Sequence, residues 1–189
     1  LRLGLASQRD GKFAEADRLY RDILRQDPTH FDAQHMLGVM ALQTGHPDRA
    51  IELIGKAVGL NPTVAAAHGN LGYALSAMKR HGDAIASYDK AIALMPHFAE
   101  AHYNRGGALS ALKRYEEAVA SYDKALASRA TYAEAHNGRG GALVELKRGA
   151  DALLSYDRAV ALNPRYAEAL YNRGNVLNDL GRWEEALAS

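Results

Sequence analysis

Residues 99–132 read AEAHYNRGGALSALKRYEEAVASYDKALASRATY, and two helices can be read in them. From Ala99 to about Leu112 the small and apolar residues Ala101, Ala108, Leu109 and Leu112 fall at helical spacing, as do Ala118, Val119, Tyr122, Ala125 and Leu126 between Tyr115 and Ala127. Both segments are expected to be short amphipathic helices. The link Lys113-Arg114 is short enough that the second helix must fold back on the first. Close approach needs small side chains at the crossing, which Gly106 and Ala118 provide, with Tyr122 expected to fill the space beyond.

The same pattern runs through the chain at a period of 34 residues: Gly4, Gly38, Gly72, Gly106, Gly140 and Gly174. Twelve residues after each glycine stands alanine, at Ala16, Ala50, Ala84, Ala118, Ala152 and Ala186. Sixteen after come Tyr20, Ile54, Tyr88, Tyr122 and Tyr156; twenty-four after come Pro28, Pro62, Pro96, Ala130 and Pro164. Such a period built from helical segments signals stacked helix-turn-helix units. Proline lacks the amide hydrogen and disfavours helix in the residue before it, so Asp27-Pro28, Asn61-Pro62 and Asn163-Pro164 end the second helix of a unit. A short polar side chain in front of the proline suits a turn.

This ladder of Leu-Gly or Arg-Gly, Ala, Tyr, Ala and Pro resembles the tetratricopeptide repeat. The resemblance covers the whole chain. It implies an all-α fold, a right-handed superhelical solenoid of stacked repeats whose inner groove is lined by the first helix of each unit. The repeats are placed at about 1–30 (partial), 31–64, 65–98, 99–132, 133–166 and 167–189 (partial), in one array. His68, His102 and His136 stand where the family often has Trp, and Ala130 replaces the repeat-ending proline, which leaves the break after Ser128 less sharply specified. Ser189 is expected inside the second helix of a sixth, incomplete unit. With no polar capping helix in view, the chain is expected to be an excerpt of a longer polypeptide and to associate end to end near Trp183 and Leu187.

A net charge of +1 gives no bias toward nucleic acid or an anionic membrane, and no apolar run reaches the length of a membrane span. The chain has no cysteine, which excludes disulfides, thiol catalysis and zinc-thiolate sites. Cytoplasm is the default expectation. No catalytic residues, cofactor or metal site are expected. His68, His102 and His136 recur at one period, but equivalent positions of stacked units lie about 10 Å apart, whereas a shared metal needs its ligands at about 2 Å. These rings are expected to pack between helices with a nitrogen toward solvent or a carbonyl. Arg105-Gly106-Gly107 and Arg139-Gly140-Gly141 fall mid-helix, not in a phosphate-binding turn. Asp89, Asp123 and Asp157 stand sixteen residues before Arg105, Arg139 and Arg173, a register for ion pairs between neighbouring repeats. Lys79-Arg80, Lys113-Arg114 and Lys147-Arg148 form a basic ladder at the turns, read as solvated.

The candidate binding residues lie on the first helices. Two residues before the ladder glycines are Asn70, Asn104 and Asn172, with Asn137 displaced by one and Gly138 in its place. Three before them are Tyr103 and Tyr171, and Asn175 follows Asn172, matched by Tyr73 in the third unit. An amide side chain donates and accepts, so an asparagine column can hold the backbone of an extended peptide whatever its sequence. Tyrosines beside it add apolar contact with a polar tip. The expected partner is therefore a protein or peptide. The expected function is a scaffold that binds an extended peptide or partner helix in its groove. A second, narrower resemblance is carried by Tyr103-Asn104-Arg105-Gly106, Tyr171-Asn172-Arg173-Gly174-Asn175 and the Ala-Ser-Tyr-Asp-Lys runs at Ala86 and Ala120. It is similar to the arrays of bacterial O-linked N-acetylglucosamine transferase relatives, which implies the alternative of a substrate-recruiting segment with catalysis beyond Ser189. A clamp for a terminal carboxylate is disfavoured, since the positions three before the glycines carry no lysine.

Overall fold

The computed structural model describes residues 1–187; residues 188 and 189, which the repeat pattern puts in a second helix, lie outside the described residues. Twelve α-helices form among the described residues: α1 (Arg2–Arg9), α2 (Phe13–Gln26), α3 (Phe31–Gln43), α4 (Pro47–Leu60), α5 (Ala65–Ala77), α6 (His81–Leu94), α7 (Ala99–Ala111), α8 (Tyr115–Ser128), α9 (Ala133–Glu145), α10 (Gly149–Leu162), α11 (Ala167–Asp179) and α12 (Trp183–Leu187). They group into two compact units, Leu1–Pro96 and His97–Ser189. In the first, α1 packs on α2, α3 on α4 and α5 on α6, and α2 meets α3 as α4 meets α5. In the second, α7–α8, α9–α10 and α11–α12 pair, and α8 meets α9 as α10 meets α11.

The glycine ladder makes room for the aromatic ladder. A Cβ on Gly72, Gly106 or Gly140 would lie 2.6, 2.8 or 2.6 Å from the ring of Tyr88, Tyr122 or Tyr156, sixteen residues on. The tyrosine ring therefore rests on the glycine itself, not in space beyond the crossing. At Gly38 the corresponding atom would meet Ile54 Cγ1 at 2.4 Å. Alanines such as Ala50, Ala84, Ala118 and Ala152 are fully buried beside these contacts. The inner first helices α3, α5, α7 and α9 are covered over more than one stripe: α5 buries Ala65, Ala67, His68, Gly69, Gly72, Ala74 and Leu75, because it is flanked by its partner α6 and by α4.

Each turn inside a repeat closes as a Schellman motif. The amide of Arg114 donates to Leu109 O at 2.9 Å and that of Lys113 to Ser110 O at 2.9 Å, with Lys113 in the left-handed region at φ 59. Between repeats the chain runs extended at Asp27, Asn61 and Asn163. Asp27 Oδ1 accepts from Thr29 N at 3.0 Å, Asn61 Oδ1 from Thr63 N at 3.1 Å and Asn163 Oδ1 from Arg165 N at 3.2 Å. The break is as sharp where proline is missing: α8 ends at Ser128, and Arg129 adopts φ −145, ψ 91. Arg129 is held there by stacking over the Tyr132 ring at 4.8 Å and by an ion pair with Glu100. No helix among the described residues is long and apolar enough to cross a membrane.

Candidate functional site

In the second unit the first helices bring together a cluster of tyrosines, amides and carboxylates. Tyr103 on α7 lies 6.0 Å from the Tyr122 ring of α8 and 4.9 Å from Tyr132, the residue that precedes α9. Burial pushes the Tyr132 hydroxyl up to about 12, and the nearby Tyr103, Glu100 and Glu134 add to it. Tyr103 and Tyr166 are raised too, first by burial and then by the carboxylates of Glu134 and Glu168. Two glutamates in the first turns of α9 and α11 thus stand close to three aromatic rings.

Asn137 sits beneath this cluster, only 6% exposed. Its Nδ2 donates to Glu168 Oε1 at 3.0 Å and to the Tyr166 hydroxyl at 3.4 Å, and its Oδ1 accepts from Asn172 Nδ2 at 3.2 Å. Asn137 is therefore a tie between consecutive repeats, consumed by protein partners, while Asn172 is half-buried and oriented by it. Asn104 is half-buried on α7, Asn175 is exposed on α11, and Tyr171 projects from α11 with 70% of its surface accessible. Gly138, in the asparagine register, accommodates Tyr122: a Cβ there would stand 2.8 Å from the ring.

The first unit repeats part of this arrangement. Asn70 on α5 donates through Nδ2 to His35 Nε2 at 3.1 Å, so with this amide orientation His35 is the neutral tautomer protonated at Nδ1. His35 is 5% exposed, and burial holds its pKa below the ordinary histidine value, partly opposed by Asp32. Tyr73 is 54% exposed on the same helix as Asn70. Tyr132, Tyr166, Glu134, Glu168 and His35 were not singled out by the asparagine columns. For the second unit the available signal was the aromatic residue just before each of its first helices, Phe98, Tyr132 and Tyr166.

The histidine column is spread along the fold. His68 Nε2 donates to Pro62 O at 2.8 Å and His136 Nε2 to Ala130 O at 3.1 Å, each closing its own inter-repeat loop, and His102 is buried. Among the described residues no three metal-ligating side chains gather. The expected ion pairs form in the second unit: Arg139 Nε to Asp123 and Arg173 Nε to Asp157, both at 2.6 Å. The arginines of the basic turn ladder are neutralised locally, since Arg80 pairs with Asp83, Arg114 with Glu117 and Arg148 with Asp151.

Helix pairs in this repetition, with surface tyrosines and amides on the first helices, define a class of helical repeat proteins. The chain belongs to the tetratricopeptide repeat family: that family matches residues 1–65, 35–96 and 70–133, and a TPR repeat description matches 142–181. Among solved structures, MamA is 26% identical over 89% of this chain and 98% of its own, with a TM-score of 0.81. PilW, a widely conserved type IV pilus biogenesis factor, is 20% identical over 99% of this chain and 87% of its own, at 0.89. YrrB, a TPR protein with an unusual peptide-binding site, is 18% identical over 90% of this chain and 88% of its own, at 0.78. No match was found among curated proteins. Fold and family support a protein-interaction role and fit a non-catalytic segment.

Proposed function

We propose that this chain binds extended peptide on the faces of its first helices, in the second unit through Tyr103, Asn104, Tyr171, Asn172 and Asn175 with Asn137 positioning Asn172, and in the first unit, separately, through Asn70 and Tyr73. The observation that carries the reading is the exposure of Tyr171, 70%, beside amides that neighbouring repeats already hold in position. A tyrosine left this accessible on a helix packed on other sides supplies contact area at small entropic cost. Asn172 spends one N–H on Asn137, which leaves its carbonyl to accept from a peptide amide and its second N–H to donate. Asn70, tied to His35, is prepared in the same way. Such fixing lowers the ordering cost of binding. Asn137 acts as the anchor of the amide pair and does not itself face the peptide. YrrB, of the same fold, carries a peptide-binding site, which is compatible with this use of the scaffold.

The test is a ligand selected from a random peptide library on the 189-residue chain, then measured against Tyr171→Ala with Asn175→Ala. Both side chains are exposed, so the melting temperature should hold while affinity falls by about tenfold or more. Unchanged affinity would exclude this face.

A further inference from the structure

Where α2 meets α3 and α4, the first unit holds a cavity of about 510 Å³. Its floor is apolar, made by Leu24, Leu37 and Leu53. Adding three periods leads to the equivalent joint in the second unit, where Leu24 becomes Leu126, Leu37 becomes Arg139 and Leu53 becomes Ser155. There the hollow is about 240 Å³, because the Arg139 side chain spans it to Asp123 at 2.6 Å and Ser155 Oγ at 2.7 Å. The first unit has leucine in place of that arginine, and the space stays open.

A polar group is left unspent in the same place. Gln34, at the register position of His136, lines the cavity and is 7% exposed, yet its amide makes no hydrogen bond to another described residue. Its counterpart His136 is satisfied by Ala130 O. The amide is not sealed in the core: its polar atoms open on the cavity, where a bound acceptor or donor can reach them. The rim supplies the charge. Arg21, Arg25, Arg49 and Lys56 surround the opening, and they pair with Asp17, Asp22 and Glu52, so four cations face three carboxylates and one positive charge is in excess. Arg49 and Arg21 share Asp17, and Arg49 reaches it through one N–H at 3.2 Å, so guanidinium donors remain.

We propose that this cavity is a binding site for a carboxylate joined to an apolar body. The apolar part rests on the three leucines, Gln34 hydrogen-bonds the ligand inside, and Arg49 with Arg21 takes the carboxylate at the rim. The volume falls within the range of about 300 to 1,000 Å³ of small-molecule sites. The ligand is anionic because the rim is cationic, and a monoanion matches the excess. This site involves none of the residues assigned to peptide recognition, so either can fail without the other.

The test titrates the full chain calorimetrically with decanoate, with 1-decanol as the uncharged comparison. An acetylated peptide ending in leucine is added, as free acid and as amide. Saturable binding of one acid per chain is expected. Leu37→Arg, which installs the side chain that fills the equivalent joint, should weaken it by about tenfold or more. Arg49→Gln, a surface change that leaves the floor intact, should weaken the acid several-fold and leave decanol unaffected. Tighter binding of the peptide acid than of decanoate, lost in the peptide amide, assigns the carboxylate to a polypeptide C-terminus; the reverse order assigns it to a free acid. No saturable binding of either acid, or binding indifferent to both variants, overturns the proposal.

Discussion

At Gly106 a single hydrogen decides whether a helix pair can close. The Tyr122 ring fills the position where a side chain would begin, with Cε1 at 2.8 Å, and Tyr122 is almost wholly buried, so its ring has little room to move. Gly106→Ala should therefore destabilise by about 1 to 3 kcal/mol, read as a lowered denaturation midpoint, and Tyr122→Leu in the same chain should recover part of the loss. His35 acts on another variable, pH. Its folded pKa lies below the ordinary value of 6.5, so the unfolded chain takes up a proton that the folded chain refuses. The stability it contributes is present in full above that value and is lost as pH falls below it toward the folded pKa; His136, lowered in the same direction, adds to the effect. Thermal melts between about pH 7 and about pH 5.5 should show a falling midpoint, and His35→Asn, the residue found at the same register in Asn137, should flatten the slope. A slope unchanged by the substitution would place the proton uptake elsewhere.

The helices and their turns were the most legible level of this chain, because a repeated element averages over its exceptions. One period read from residues 99–132 placed α7 and α8 to within a residue at their ends. Their caps were harder to read. Positions 11, 45, 79, 113, 147 and 181 share one register, and all have positive φ, with glycine at three and lysine at Lys79, Lys113 and Lys147. In sequence the lysines read as part of a solvated basic ladder at the turns; in the fold they are also the left-handed residue of the C-terminal cap, tolerated at a cost that glycine would not incur. Lys113→Gly should accordingly stabilise by about 0.5 to 1 kcal/mol, the relief of the left-handed strain less the extra freedom of an unfolded glycine. Chemical denaturation with an unchanged slope and a higher midpoint would show it, and no gain would mean that Lys113 bears no strain. The binding face was legible only in part, for a geometric reason. Contacts between neighbouring repeats join residues 29, 31 and 35 apart, as in Asn137 with Tyr166, Glu168 and Asn172, whereas reading in columns compares residues one period apart. Columns reveal which residue types recur, and they miss which of those side chains consume one another.

For the molecule as a whole, stability in a repeat array comes from each helix pair covering its neighbour, so a pair with an uncovered side exposes apolar surface. Leu3 on α1 is 73% exposed, and on α12 Trp183 and Leu187 are 67% and 89% exposed, with no described residue of that helix buried. These side chains have the size and hydrophobicity to bury against another copy, and they stand in contrast to Tyr20, Tyr88 and Leu143, which neighbouring helices cover. Light scattering on this 189-residue chain should therefore return a mass above 20.5 kDa at high concentration that falls toward that value on dilution. Trp183→Glu together with Leu187→Lys removes the apolar contact and places charge on it, and should give the single-chain mass throughout. Because neither residue belongs to the peptide face or to the cavity between α2 and α4, both binding experiments can be run on that monodisperse variant. A parent chain that keeps one mass over the whole dilution series would show that these exposed rings and leucines are not joined by a second copy.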